Sequence, residues 1–311
     1  MNKNNPTVYI VLTVYNWEKY FLEQLMSIYF QEYENRFLII VDDWSTDSSY
    51  DIAQNFVRDY NLENKVNIIK QENKGTCKAT EKWLIEVQEL GKEDDYVTYC
   101  DADDIWCRNK LWYLVEYMRN NKDCDLCFHD IAVLNQDWII ISKSFLYSRS
   151  FQHSNLNNNN FFELCLGNHI SINLIYNIKY INDIIPIENE WAKDYRTALI
   201  FSINNRNIDF IEEKLGYYRK WHQSIQKKLH WNWTLKPMER DLDLLNKLKK
   251  RFPEKKEINY FIKYWEFRIS WIKKWYPRLS LILSRLLFPR RFLLSTRNLI
   301  KYYIYRNYKN K

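Results

Sequence analysis

Glycine is scarce in this chain of 311 residues, which contains only four. They are Gly75, Gly91, Gly167 and Gly216, and no two of them are close enough to form a G-x-G-x-x-G or Walker A loop. Both loops need closely spaced glycines so that the backbone can approach a phosphate group. The scarcity therefore excludes a Rossmann dinucleotide site and a P-loop phosphate site.

Long apolar runs are also missing. The apolar stretches near the C-terminus are interrupted by Arg285 and by Pro289-Arg290-Arg291, so none reaches the ~20 residues of a membrane span. The N-terminal residues lead directly into an apolar run at 8–15, without the charged leader and small-residue cleavage site of a signal peptide. We therefore expect a globular, cytoplasmic protein with no transmembrane segment.

The chain has six cysteines, which in the absence of an export signal indicate reduced thiols rather than disulfides. Cys124 and Cys127, together with Cys100 and Cys107, could alternatively bind zinc. Cys100 and Cys127 lie in strand-like apolar runs, however, and this position favours buried packing.

Acidic residues are unevenly distributed, and none follows Glu266. Residues 1–225 carry 23 basic and 33 acidic side chains, whereas residues 226–311 carry 23 basic and only 6 acidic ones. We expect a catalytic domain at 1–230 and, at 231–311, basic and aromatic helices interrupted by Pro253, Pro277 and Pro289. The charge asymmetry indicates an anionic partner for the second segment.

Apolar runs alternate with helical periodicity in the first half of the chain. Residues 8–15 and 37–41 are typical of buried parallel strands, and apolar side chains recur between them at helical spacing. The alternation continues with strands at 66–69, 96–100 and 126–134 and helices at about 76–90 and 109–120. It predicts an α/β fold with an open, mainly parallel sheet flanked by helices. Ligands bind such sheets beyond the carboxyl ends of the strands.

Three acids, Asp101, Asp103 and Asp104, directly follow the predicted strand at 96–100. Their mutual repulsion requires a positive counter-charge. A hard divalent cation such as Mg²⁺ or Mn²⁺ binds carboxylate, water and phosphate oxygens, so the cluster could hold a metal-bound diphosphate. A solvated acidic turn is the alternative.

A second acidic pair, Asp42 and Asp43, ends the strand at 37–41 and is followed by Ser45-Thr46-Asp47. Helix capping explains the latter segment but not the pair, which lies too early in the chain for that task. A carboxylate at this position could accept hydrogen bonds from a base or a ribose.

Four segments in order resemble the motifs of family 2 glycosyltransferases, which have the GT-A fold. They are Thr13-Val14-Tyr15-Asn16, residues 41–47, Asn73-Lys74-Gly75 and residues 100–106. The similarity extends downstream and covers roughly residues 6–226. The downstream segments, Phe128-His129-Asp130, Asn168, residues 191–195 and residues 215–222, most resemble the rhamnosyltransferase-like branch of bacterial surface polysaccharide synthesis.

The resemblance implies roles for individual residues. It implies a nucleotide site formed by Thr13, Tyr15, Asp42, Asp43, Lys78 and Asp101, with the first four near the base and Lys78 near the phosphates. Asp101 and Asp103 match the D-x-D pair that holds ribose, diphosphate and a metal ion, Mn²⁺ or Mg²⁺, with Asp104 in support.

The same resemblance implies that Asp194 is the general base on the acceptor hydroxyl and that His222 is a metal ligand. A packed histidine and a surface acid are the alternatives. Two positions depart from the branch. Lys193-Asp194-Tyr195 stands where His-Asp-Trp is common, and Trp44 replaces a glycine.

The implied reaction is inverting and metal-dependent. A hexosyl or deoxyhexosyl group passes from a nucleoside-diphosphate donor to a hydroxyl of a bacterial surface glycan or lipid-linked oligosaccharide. A non-catalytic protein that binds sugar nucleotides or nucleic acid is the alternative, although we expect no nucleic-acid partner. Nothing in the sequence indicates an oligomeric state.

The basic segment interleaves aromatic residues with Arg and Lys, which is typical of an amphipathic helix at a membrane interface. We expect it to bind an anionic surface, which would make the protein peripheral on the inner membrane face. The alternative is that these helices pack against the catalytic domain or a second subunit.

Overall fold

The computed structural model of the chain describes residues 5–72, 76–145, 173–187, 193–220 and 231–283. The chain divides into two compact units, Met1–Lys228 and Leu229–Lys311. The strands of the described residues all lie in the first unit, and the second is described as a pair of helices.

Four strands from the first part of the chain form a parallel sheet in the order β3-β2-β1-β4. They are β1 (Val8–Val14), β2 (Arg36–Asp42), β3 (Val66–Lys70) and β4 (Tyr96–Asp101). Every residue of β1 is buried, as expected for a strand covered on both faces. All four were predicted from the sequence, and their ends differ from the prediction by one residue.

Five further strands complete one sheet of nine strands among the described residues. They are β5 (Ile105–Trp106), β6 (Leu126–Leu134), β7 (Ile140–Ser142), β8 (Leu174–Asn177) and β9 (Ile208–Arg219). Beyond β4 the order is β8-β6-β9-β5, and β7 pairs with β6. This part of the sheet is mixed, whereas the sequence predicted a mainly parallel one.

The direction of the strands decides which of their ends meet. Because β8 is antiparallel to both β4 and β6, β6 points the same way as β4. β9 is parallel to β6. The carboxyl ends of β1, β2, β4, β6 and β9 therefore lie along one edge of the sheet.

Helices cover both faces of the sheet. In the first unit they are α1 (Glu18–Tyr29), α2 (Ser49–Asp59), α3 (Thr76–Leu90), α4 (Lys110–Asn120), α5 (Ile181–Ile184) and α6 (Lys193–Ile203). Apolar side chains of α1, α2 and α4 join one core cluster with alternate residues of β1, such as Ile10 and Leu12. On the other face, the Tyr99 hydroxyl lies 3.2 Å from Thr197 Oγ1 in α6. The predicted arrangement of helices is confirmed.

The second unit consists, where it is described, of α7 (Trp231–Arg251) and α8 (Glu257–Leu283), which pack on each other. The predicted interruption at Pro253 is confirmed. The interruption predicted at Pro277 is wrong, because α8 continues past it to Leu283. Proline removes one backbone hydrogen bond, and a long helix can retain the others with a kink. Pro289 lies outside the described residues.

None of the helices described combines enough length with enough apolar character to cross a bilayer.

Candidate active site

The register of the parallel strands brings the predicted site residues to one level of the sheet. Thr13 of β1 is paired with Val41 of β2 on one side and with Asp101 of β4 on the other. Asp42 and Asp43 follow Val41 directly, and Tyr15 lies two residues after Thr13. These residues from three strands therefore meet at the carboxyl edge.

Hydrogen bonds join the loops that follow β1 and β2. The Asn16 amide donates to Ser45 Oγ at 3.1 Å, and the Thr46 amide donates to Asn16 Oδ1 at 2.8 Å. Asn16 has a φ of 56°, a left-handed conformation that Asn tolerates well. Trp44 also has a positive φ, 69°, which is strained for a bulky residue. This geometry explains why a glycine would suit position 44.

Asp47 confirms the capping expectation for the segment that follows. Its carboxylate accepts hydrogen bonds from the Ser49 amide at 2.9 Å and from the Glu18 amide at 3.0 Å. Partial burial alone would raise the pKa of Asp47, but the hydrogen bonds from Ser49 and Glu18 outweigh it and lower the pKa. The carboxylate thus stabilises the starts of α1 and α2 together.

Asp42 and Asp43 have different surroundings. Asp42 is fully buried, and both of its oxygens accept the Ser45 amide, at 3.2 and 3.3 Å. Asp43 is also buried, and Gln71 Nε2 donates to its Oδ1 at 3.0 Å. Tyr15 is exposed beside them. Asp42 therefore shapes the loop from within.

The three acids after β4 also divide by burial. The Asp101 side chain is 46% exposed, and Asp103 is half-buried. Asp104 is buried, and its Oδ1 has no hydrogen-bond partner among the described residues. Burial, followed by the charges of Asp103 and Asp101, raises the pKa of Asp104 well above its usual range. Only Asp101 and Asp103 have the exposure that a ligand-binding carboxylate requires.

Lys193, the first residue of α6, reaches the carboxyl edge from the opposite face. Its Nζ donates to Thr13 Oγ1 at 2.8 Å and lies 3.5 Å from Asp101 Oδ1. The side chain is almost fully buried, so this ammonium supplies a positive charge inside the acidic site. Sequence reasoning identified Lys193 only as a departure from the family pattern, and that departure was the available signal.

Asp194 follows Lys193 in the first turn of α6 and is partly buried. Burial and the charge of Asp101 raise the pKa of Asp194 to about 6. The charge of Lys193 opposes this shift. Asp194 directly follows Lys193, whose ammonium lies 3.5 Å from Asp101 Oδ1, so the predicted base begins the same helix that reaches the predicted D-x-D pair. Chemically, a carboxylate with this pKa can accept a proton near neutral pH.

Lys110, at the start of α4, is a second positive charge that sequence reasoning missed. It is fully buried, with its Nζ 3.8 Å from the centre of the Trp106 ring and 3.3 Å from Asn173 Oδ1. Burial lowers the pKa of Lys110 to about 8, against the charges of Cys100 and Asp104. A lysine at a core-facing position of an amphipathic helix was the signal in the sequence.

Lys78, in the first turn of α3, is paired with Glu81, whose Oε2 lies 2.7 Å from Lys78 Nζ. The other oxygen of Glu81 accepts the Ile187 amide at 3.1 Å. Lys78 is thus bound within its own helix. Its predicted contact with phosphates stays a prediction.

Several residues that the sequence singled out lie outside the described residues. They include His222, Asn168, Asn73-Lys74-Gly75 and Trp191-Ala192. Within the described ranges, no group of three or more His, Cys, Asp and Glu side chains is arranged to hold a metal ion.

The donor set of Asp101 and Asp103 nevertheless fits a hard divalent cation. Magnesium-like ions are commonly held by one or two carboxylates, with substrate phosphates and water completing the shell. The exposure of Asp101 leaves room for such ligands.

Cys100, Cys107, Cys124 and Cys127 are free thiols. Burial raises the pKa values of Cys100 and Cys127 well above the usual range, so both remain protonated. The prediction of reduced, packed thiols is confirmed for these positions.

Comparisons with known proteins agree with this geometry. The profile of the family "Glycosyl transferase family 2" matches residues 9–173. Glycosyltransferase GlyG of Streptococcus pneumoniae is 34% identical over 117 residues, covering 38% of this chain and 36% of that protein. The putative teichuronic acid biosynthesis glycosyltransferase TuaG of Bacillus subtilis is 29% identical over 144 residues, covering 46% and 54%. The chain thus matches about half or less of the length of these relatives.

Two solved structures share the fold. TarS 1–349 of S. aureus, in complex with UDP-GlcNAc, has a TM-score of 0.54 at 18% identity, covering 77% of this chain and 66% of that one. The mannosyltransferase PcManGT of Pyrobaculum calidifontis, in complex with GDP-Man and Mn²⁺, has a TM-score of 0.57 at 12% identity, covering 97% and 86%. At these identities the likeness shows the fold alone, and it confirms the expected GT-A type.

The family profile spans more than half of the chain and includes β1, β2 and β4, the strands that carry the candidate site. The chain therefore belongs to glycosyl transferase family 2.

Proposed function

We propose that the protein is an inverting, metal-dependent glycosyltransferase that uses a nucleoside-diphosphate sugar. The observation that carries the proposal is that the ammonium of Lys193, the residue before Asp194, joins Thr13 of β1 to Asp101 of β4. A donor site and a base are both needed for sugar transfer, and this arrangement supports both within one edge of the sheet.

Donor binding would use the loops after β1 and β2. Tyr15 is exposed and can pack on a base, whereas Asp43 is buried and would accept hydrogen bonds from the nucleotide only if the loop opens. Asp42 would act indirectly, by holding the turn at Ser45. Lys78 would approach the phosphates only if its pair with Glu81 opens.

Metal binding in this proposal uses Asp101 and Asp103, with His222 as a further ligand. When bound, a divalent cation supplies positive charge that offsets the negative charge on the leaving diphosphate. Asp104, whose carboxylate is buried, would support Asp101 and Asp103 from inside the protein.

Asp194 is the proposed general base. Its carboxylate takes the proton of the acceptor hydroxyl while that oxygen attacks the anomeric carbon, a contribution of roughly 10²- to 10⁴-fold. The sugar–phosphate bond breaks on the opposite side, so configuration inverts in one displacement. A single base is sufficient because no covalent sugar intermediate forms.

The acceptor we propose is a hydroxyl of a bacterial surface glycan or lipid-linked oligosaccharide, and the transferred sugar is a hexose or deoxyhexose, as in the rhamnosyltransferase-like branch. The relation to TuaG, named for teichuronic acid biosynthesis, supports the acceptor class. The basic segment at 231–311 would bring the enzyme to the inner membrane face, where such acceptors are carried on lipids.

The test is thermal stabilisation of the full chain by UDP-GlcNAc and by GDP-Man, each with and without Mn²⁺, because a bound ligand raises apparent stability. At least one donor should stabilise the wild type in a Mn²⁺-dependent manner, and Asp103→Asn should abolish that stabilisation. Asp209→Asn is the matched control, since Asp209 lies at the amino end of β9, away from the carboxyl edge. Mn²⁺-dependent stabilisation that survives in Asp103→Asn would refute the metal assignment.

A further inference from the structure

Arg219, the last residue of β9, is a charged side chain in a buried place. Its side chain is only 1% exposed. Burying a guanidinium costs free energy unless protein groups replace the water that it loses, so its contacts must offset that cost.

Two of these contacts are polar and come from different parts of the fold. Nη2 donates to Glu23 Oε2 of α1 at 2.5 Å, and Nε donates to the backbone carbonyl oxygen of Asp103 at 3.4 Å. The guanidinium therefore links α1 to the segment that carries the predicted metal ligand.

Two aromatic rings contact the same guanidinium. Its central carbon lies 4.3 Å from the centre of the Tyr20 ring and 4.6 Å from that of Trp138. These cation–π contacts suit the planar guanidinium better than they would a lysine ammonium. Trp138 lies in the turn between β6 and β7, which extends from the carboxyl end of β6.

The backbone of β9 holds the same acidic segment from the other side. β9 pairs with β5, which directly follows the acids, and Gly216 makes this approach possible. A Cβ at position 216 would lie 2.9 Å from the Ile105 carbonyl oxygen. The segment at 101–104 is thus held by the Arg219 side chain and, at its end, by the pairing of β5 with β9.

We propose that Arg219 is a positioning residue, which holds the segment at 101–104 so that Asp103 can bind the metal and diphosphate of the donor. This inference rests on the proposed function. Arginine is required because one planar group bonds Glu23, bonds the Asp103 carbonyl and stacks on two rings. Lysine at this position can supply the positive charge, but it has neither the planar set of N–H donors nor a flat face that stacks on the rings.

The test is calorimetric binding of UDP and GDP to the full chain, with and without Mn²⁺, and of the nucleosides uridine and guanosine. Arg219→Lys should reduce the Mn²⁺-dependent affinity for the nucleotide at least tenfold. Affinity for the nucleoside should remain within twofold, because the base site lies in the loops after β1 and β2. A general loosening of the fold would instead lower the affinity for both the nucleotide and the nucleoside.

Arg206→Lys is the matched control. Arg206 also stacks on an aromatic ring, that of Tyr180 at 4.6 Å, and pairs with a carboxylate, that of Asp183 at 3.1 Å. It touches none of the proposed site residues in these contacts. Its substitution should leave both affinities unchanged.

A second variant keeps the proposal testable if Arg219→Lys does not fold. Glu23→Gln removes the ion pair from a side chain that is 39% exposed, so the fold should tolerate it. It should reduce Mn²⁺-dependent affinity in the same direction but less. Wild-type affinity in whichever of these variants folds would overturn the inference. If Asp103→Asn also binds like the wild type, the proposed function itself fails.

Discussion

Two buried lysines supply positive charge to the acidic site, each in a different way. Lys193 bonds Thr13 directly and lies beside the exposed Asp101. Lys110 is sealed in the core next to Trp106 and acts on the buried Asp104 through its charge. The protein itself therefore reduces the repulsion among the acids.

In the proposed mechanism the pH dependence of transfer follows from Asp194, because burial raises the pKa of its carboxyl to about 6. Below this pH the carboxyl is protonated and cannot accept the acceptor's proton; above it the base is available. We expect kcat/KM to rise with pH through about 6 and then to level off. The profile is measured by product formation across a pH series with saturating Mn²⁺.

Asp194→Asn should lose this rise and lower turnover by roughly 10²- to 10⁴-fold, because the amide cannot act as a base. Asp209→Asn should keep the wild-type profile. A profile in Asp194→Asn that matches the wild type would remove this residue from the mechanism.

Trp44 offers a stability prediction, since its positive φ of 69° costs a bulky L-residue roughly 1–2 kcal/mol. Trp44→Gly removes that strain. Glycine also gives the unfolded chain more conformational entropy, which offsets part of the gain in stability. We expect the free energy of unfolding to rise by about 1 kcal/mol, as measured by urea denaturation.

The matched control is Trp112→Gly. Trp112 and Trp44 are both 51% exposed, but Trp112 lies within helix α4. Glycine in a helix interior should instead lower the free energy of unfolding by roughly 0.5–1 kcal/mol. Equal effects of the two substitutions would show that backbone conformation at position 44 is not the cause.

At the scale of elements, the helix pair α7 and α8 contains an acid in an unfavourable, buried place, Asp241. Burial raises the pKa of Asp241 from its ordinary value of 3.8 to about 7, against the charge of Arg268. Its Oδ1 has no hydrogen-bond partner in the described part of the unit. Between these two pKa values the folded state retains a proton that the unfolded state releases. The contribution of Asp241 to stability therefore falls as pH rises from about 4 to about 7.

Asp241→Asn should raise the Tm of the full chain at pH 8 and raise it less, or not at all, at pH 5. The control is Asp243→Asn, which removes an exposed acid of the same helix that pairs with Lys247 at 2.9 Å. This control should change the Tm little at either pH. A Tm gain from Asp241→Asn that is the same at both values would contradict the assignment.

At the scale of the whole molecule, the opposite charges of the two parts predict membrane behaviour. Residues 226–311 carry 23 basic and 6 acidic side chains. Each basic residue near an anionic surface contributes about 1 kcal/mol, and salt screens this attraction. We expect the full chain to sediment with vesicles that contain phosphatidylglycerol, to release them at high salt, and to ignore vesicles of phosphatidylcholine alone.

Reversal of charge tests the same prediction. A variant with Arg290→Glu and Arg291→Glu should bind these vesicles more weakly, whereas Lys65→Glu with Lys92→Glu, at exposed positions of the first unit, should not. Binding to oligonucleotides in place of vesicles would favour the nucleic-acid alternative.

Much of the first half of the fold could be predicted because its signals are local. Strands β1 and β2 are almost continuous apolar runs, β3, β4 and β6 are mainly apolar, and helices α3 and α4 have regular apolar spacing. β9 was missed because Glu212, Glu213 and Lys214 interrupt its apolar pattern at exposed positions. The proline at 277 was overrated as a helix end, since the remaining turns of α8 continue beyond it.

The sequence by itself determined the family, the parallel half of the sheet and the acids at its strand ends, because motif order and apolar periodicity are written along the chain. Only the tertiary structure decided which basic side chains lie beside the segment that carries those acids. Lys110, Lys193 and Arg219 lie far from one another in sequence, and their partners depend on strand register and burial, which no local pattern encodes. For the same reason, the differing roles of Asp42, Asp101 and Asp104 emerged only when their exposure and contacts were known.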